Sequence, residues 1–177
     1  VLVSTGFVDR FHLLTTREGT LVFTVPARIL PSAGSVSSAT EPMPVEVTVG
    51  SDVESLLLKL TNAEREKAQV PALSMSPLLL KAARQHSENM AKQHKLEHQL
   101  DGKNASDRLN DLSYTWRACG ENIALGPRTP ADAIRSWMES PGHRANLLSA
   151  DFTQIGVALQ ADANGETYWT MVLAAPR

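Results

Sequence analysis

Apolar residues follow two rhythms along this chain, and the change falls close to residue 51. In residues 1–50 they form short β-branched and aromatic runs at 7–8, 11–14, 21–25 and 45–49, broken by Gly and Pro, which predicts three or four short strands. Residues 31–44 between them are rich in Ser, Ala, Gly and Pro, the composition of a linker. A few strands alone are marginal in water. This β-rich N-terminal extension is therefore expected to pack on a main domain, to pair with another copy, or to be part of a larger β module.

From residue 51 a helical step takes over. Val53, Leu56, Leu57, Leu60 and then Ala63 and Ala68 recur at three- and four-residue intervals, predicting an amphipathic helix capped by Ser51 or Asp52 and ending near Gln69, before Pro71. Ser76-Pro77 restarts a helix in the favoured order of cap and then Pro. Its face of Leu79, Leu80, Ala83, Ser87, Met90, Ala91 and His94 runs to about Leu96, with His86 at the edge of the buried stripe as a core histidine holding one hydrogen bond. A short helix follows at 104–112, capped by Asn104 or Ser106, and then a strand-like run at 114–125. Thr129 and Pro130 open the next helix, whose inward set is Ala133, Ile134, Trp137 and Met138. Two late strands, 154–159 and 167–173, are joined through Asn164-Gly165, a strong hairpin signal. The predicted class is α+β, helices with a small antiparallel sheet.

Composition narrows the partners. With 177 residues, 42% hydrophobic and 20% charged, the chain can bury one core and carry an appendage, which places the main domain at 51–177. A net charge of −2 gives no concentrated basic surface, so nucleic acid is not an expected partner. No run reaches the roughly 18 apolar residues of a transmembrane segment. The first residues lack the layout of an export signal, so any such signal is expected upstream of Val1. Cys119, the single cysteine, reads as a small buried hydrophobe.

Two placements invite chemistry: a carboxylate, Glu121, on the otherwise apolar run before Ile123, and His143 just past a Ser-Pro-Gly corner. His98 is a third candidate, because helical periodicity fails there and a turn signal, Gln99-Leu100-Asp101-Gly102, follows. A purely structural Glu121 would tie together backbone N–H groups or Arg144. Ser140 and His143 are separated by Pro141-Gly142, a helix corner rather than the elbow that displays a catalytic serine, which argues against a Ser-His hydrolase. No His-Glu-x-x-His helix is present, so a zinc protease of that type is not expected. Asn122, Arg144 and Asn146 fit scaffold bonds as well as ligand contacts, and Trp137 and Trp169 fit the core.

Leu-Thr-Asn-Ala-Glu-Arg (60–65), residues 78–90, His98, Gly-Glu-Asn-Ile-Ala (120–124), Trp137, Ser-Pro-Gly-His-Arg-Ala-Asn-Leu-Leu (140–148), Asp-Phe-Thr-Gln-Ile-Gly-Val (151–157) and Tyr168-Trp169 occur in one order. In that order the stretch 52–177 resembles the bacterial branch of the CAP superfamily: cysteine-rich secretory, antigen 5 and pathogenesis-related-1 proteins, or SCP-like domains. The resemblance implies a three-layer α-β-α sandwich with a small, mainly antiparallel sheet, and a secreted or envelope-associated protein. It further implies a cleft in which His98, Glu121 and His143 meet, with Ser140 and Asn122 beside them, and in which zinc or another divalent metal binds to His98, Glu121 and His143. Animal and plant relatives carry a second acid where this chain has Ser140; the adjacent Glu139 is rotated by about 100° on a helix. They also carry a histidine where this chain has Asp151, before Phe152, and His143 is the positional counterpart found in bacterial members.

Two imidazoles and a carboxylate suit zinc with one position open to water. Without metal, Glu121 and a histidine would form a charge-assisted pair. Two functions are therefore expected. One is a non-enzymatic binding module for a metal ion and a small molecule, lipid, glycan or protein. The other is a hydrolase using metal-bound water or the carboxylate–imidazole pair as acid and base.

Overall fold

A computed structural model of the chain describes residues 14–15, 21–22 and 51–177. It divides into two compact units, Val1–Val49 and Gly50–Arg177. In the first, β1 (Leu14–Thr15) pairs antiparallel with β2 (Leu21–Val22), Leu14 opposite Val22. The other expected strands and the linker at 31–44 lie outside the described residues.

The second unit runs α1 (Ser51–Lys67), β3 (Ser74–Met75), α2 (Pro77–Gln93), α3 (Ala105–Asp111), β4 (Trp116–Leu125), α4 (Pro130–Glu139), α5 (Pro141–Leu147), β5 (Gln154–Ala161) and β6 (Thr167–Pro176). The sheet order is β3-β5-β6-β4. The short β3 lies parallel to β5, and the remaining pairs are antiparallel. β4, the strand carrying Gly-Glu-Asn, is therefore an outer strand.

Side chains alternate across a strand, and β6 shows what each face meets. Trp169, Met171 and Leu173 join Val53 and Leu57 of α1, Trp137 of α4 and Leu147 of α5 in one core layer. Val172 and Ala174 join Leu79, Ala82 and Ala83 of α2 and Leu109 of α3 in the other. Helices thus cover both faces, and the α-β-α sandwich follows from one strand's period of two. Trp137 and Trp169 are fully buried, their indole N–H groups donating to Ile123 O at 3.1 Å and Pro127 O at 2.7 Å.

Three local features depart from the sequence expectations. α2 stops at Gln93, short of Leu96, because His94 takes a left-handed conformation (φ 53°) and caps the helix. Its ring leaves the apolar face, and Nδ1 meets Asp162 Oδ2 at 2.8 Å beside the β5–β6 hairpin. Residues 141–147 form a separate helix: Ser140 ends α4 and begins α5, with Pro141 at the first helical position. β3 escapes notice because it is two residues long and held by only a few backbone bonds, among them Ser76 N–H to Ile155 O at 2.9 Å.

Candidate functional site

The alternation of β4 sorts its residues between the layers. Glu121 shares a side with Ile123, which packs with Met90 and Ala91 of α2. Asn122 shares a side with Ala124, which belongs to the α1/α4/α5 layer. Consecutive residues of one motif therefore do different work.

Glu121 is buried and receives three groups from the α2–α3 side. His98, in the loop joining those helices, places Nδ1 2.9 Å from Glu121 Oε1. Arg108 of α3, also buried, donates through Nη2 to Oε2 in a short ion pair. His86 of α2 brings Nε2 to 3.7 Å from Oε1, a polar approach beyond hydrogen-bond length. The sequence offers backbone N–H groups or Arg144 as partners of a structural Glu121. The cation is Arg108, and Arg144 is exposed.

α3 can present Arg108 because a capping box fixes its start: Asp107 N–H donates to Asn104 Oδ1 at 3.1 Å, and Asn104 N–H donates to Asp107 Oδ2 at 3.0 Å. Arg108 Nη1 donates to the carbonyls of Lys103 at 3.0 Å and His98 at 3.3 Å. Its Nε makes no hydrogen bond, and neither does either ring nitrogen of His86, which is only 1% exposed. His86 is thus fully buried rather than at the edge of the core. Burial pushes its pKa down, against the pull of Glu121.

His98 differs in exposure, with 56% of its side chain open to solvent. A carboxylate can only accept, so Nδ1 carries the hydrogen of that contact and Nε2 is left as the ring's other nitrogen.

Asn122, on the opposite side of β4, is fully buried and holds α5. Its Nδ2 donates to His143 O at 2.9 Å, and its Oδ1 accepts from Asn146 Nδ2 at 3.0 Å. Asn146 also donates to Glu121 O at 3.3 Å. The strand and the first turns of α5 are therefore tied by amide bonds around His143. Its half-buried ring is pushed to a lower pKa by burial and then by the charge of His98, so the two imidazoles sense each other electrostatically. Ser140 is half-buried at the α4–α5 junction, its hydroxyl making no cap bond. Cys119 is partly buried on the α2–α3 side, where burial and then Glu121 raise its pKa.

Sequence reading missed Arg108 and assigned His86 to scaffold alone. The capping signal Asn104-x-x-Asp107 fixed the start of α3, but nothing within seven residues of helix marks which side chain reaches across to β4.

The family model for the cysteine-rich secretory protein family (CAP) matches residues 58–173. YkwD of Bacillus subtilis is 34% identical over 128 residues, which cover 72% of this chain and 49% of YkwD; the chain spans about half the length of that relative. An extracellular protein containing an SCP domain, from Bacillus anthracis str. Ames, superposes with a TM-score of 0.66 at 24% identity, over 89% of this chain and 47% of that one. NaASP2, solved with Zn2+, superposes with a TM-score of 0.50 at 12% identity, over 71% of this chain and 83% of that one.

The donor set around Glu121 bears on whether such an ion suits these residues. Among the described residues no group of three or more His, Cys, Asp or Glu side chains is arranged to hold a metal ion. Both oxygens of Glu121 are engaged, one by His98 and one by Arg108. The contact of Glu121 with Nδ1 of His98 is that of a carboxylate orienting an imidazole through one ring nitrogen.

Proposed function

This chain belongs to the cysteine-rich secretory protein (CAP) family, and from that premise we propose that its cleft is a binding site for a divalent cation, with zinc the best fit, and a small polar ligand. His98 Nε2 and His143 would supply the protein's nitrogen donors. Solvent or ligand oxygens would complete the coordination, as at zinc sites with an open position. Glu121 fixes the tautomer and rotation of His98, and Asn122 fixes the backbone of His143. The observation that carries this reading is the contact of Glu121 with Nδ1 of a histidine whose side chain is 56% exposed. The lowered pKa of His143 supports it, because a neutral imidazole is the form that binds metal.

The setting we propose is the cell envelope or exterior, consistent with the extracellular B. anthracis protein and with the family. No helix among the described residues is long and apolar enough to cross a membrane. Binding is preferred over hydrolysis as the primary role. Glu121 is committed to Arg108 and His98, and Ser140 sits at a helix junction rather than on an exposed elbow. Calorimetric titration with zinc tests the proposal: wild type should bind one ion, and His98→Ala and His143→Ala should each bind at least about tenfold more weakly. Equal binding by all three proteins would falsify it.

A further inference from the structure

We propose that Arg108 is a positioning residue of the cleft, selecting which nitrogen of His98 faces a ligand. This rests on the binding role just given to His98 and adds a residue to it. The geometry is a closed ring. One guanidinium engages Glu121 Oε2 through Nη2 and the main-chain carbonyl of His98 through Nη1, at 3.3 Å for the latter. The ring of the same His98 returns to Glu121 through Nδ1 at 2.9 Å. Arg108 therefore holds both the acceptor and the backbone of the residue that donates to it. Among the described residues no lysine and no other arginine is paired with Glu121; its remaining partners are the two imidazoles.

Arg108 is itself fixed. Its Nη1 also donates to Lys103 O at 3.0 Å, across the tight 100–103 turn in which Asp101 (φ 52°) and Gly102 (φ 75°) are left-handed. The capping box pins one end of α3, and Leu109, the next residue, is fully buried. With Arg108 held from three directions, Glu121 cannot swing toward His86, the other imidazole near its Oε1. Without that hold, the carboxylate can turn to His86, and His98 is released to adopt either tautomer. A lysine keeps the charge but offers one nitrogen where the planar fork offers several, so it can only partly replace Arg108.

Nitrogen-15 spectra of the His98 ring in mildly alkaline, metal-free buffer provide the test. Wild type should show the Nδ1–H tautomer with Nε2 unprotonated. Arg108→Gln should show a tautomer mixture and bind zinc about ten- to a hundredfold more weakly, and Arg108→Lys should fall between. A wild-type ring in the Nε2–H form would overturn the inference. So would a folded Arg108→Gln or Arg108→Lys protein with the wild-type ring signature and zinc affinity. If wild type binds no zinc while the tautomer still follows Arg108, the cation-binding reading fails and the positioning role stands.

Discussion

His86 shows how much one buried residue can reveal. Its ring is enclosed and its neighbours act in opposed directions: Glu121 and the backbone of Glu97 raise its pKa, while Arg108 and His98 lower it. Burial is the largest influence, so the folded ring takes up a proton less readily than an ordinary histidine, whose pKa is 6.5. Above that value the ring is neutral whether folded or unfolded, and it confers no pH dependence. As the pH falls through 6.5 the unfolded chain binds a proton that the folded chain resists, so stability is lost downward from there until the buried ring also protonates. Melting temperature measured at falling pH should decline in this window for wild type and decline less for His86→Phe. Equal slopes would show that other groups dominate. His98, Glu121 and His143 were all legible as candidates, because each breaks the local pattern of its segment. Arg108 and His86 were not, because an arginine on a short helix and a histidine near an apolar stripe look ordinary until folding brings them to β4.

At the level of elements, α2 lies directly on the backbone of β5 at Gly156. A Cβ placed on Gly156 would lie 2.0 Å from the carbonyl carbon of Leu79 and 2.2 Å from Leu80 N, both backbone atoms that cannot move as a side-chain tip can. The helix sits this low because Ala82 and Ala83 are small and because Ser87 Oγ donates to Thr170 Oγ1 at 2.9 Å. Gly156→Ala should push α2 off the sheet and cost at least about 3 kcal/mol, the upper part of the usual overpacking range. Chemical denaturation would measure it, and a loss under about 1 kcal/mol would mean that the helix yields easily. His86 rides on α2, so the same change should disturb the cleft. The period-3.6 helices α1, α2 and α4 and the long strands β4 to β6 were readable from pattern, and the cap Thr129 from residue type, while at α3 residue type left Asn104 and Ser106 open and the fold takes Asn104. β3 and α5 were not. A two-residue strand has no period, and α5 begins on the residue that ends α4, where Ser-Pro-Gly reads equally as a turn.

Across the whole domain, the layers are locked by polar groups as well as by the cores between them. Arg65 of α1 is fully buried, and its charge is met entirely by backbone carbonyls. Nε donates to Pro71 O at 2.8 Å, Nη1 to Leu147 O and Ser149 O at 2.9 Å, and Nη2 to Phe152 O at 3.3 Å. One side chain thus fastens the end of α1 to the exit of α5 and to the segment entering β5, joining positions more than eighty residues apart. Burial lowers its pKa, yet a guanidinium stays charged at any pH the fold meets. Arg65→Met fills much of the same volume but leaves four carbonyls without this donor. At about 1–3 kcal/mol for each buried group that stays unpaired, even partial repair by water should leave the domain about 3 kcal/mol or more less stable. Arg65→Lys should recover little, because one ammonium cannot reach carbonyls spread across the width of a guanidinium. Urea denaturation of the three proteins would decide it. A lysine variant as stable as wild type would show that the charge matters and the fork does not, and a methionine variant as stable would show that water replaces both. The His98–Glu121 contact should survive in folded Arg65 variants, since Arg65 bonds none of the residues around Glu121. A loss of stability with the His98 ring signature unchanged would therefore separate the lock that holds the layers from the ring that sets the cleft.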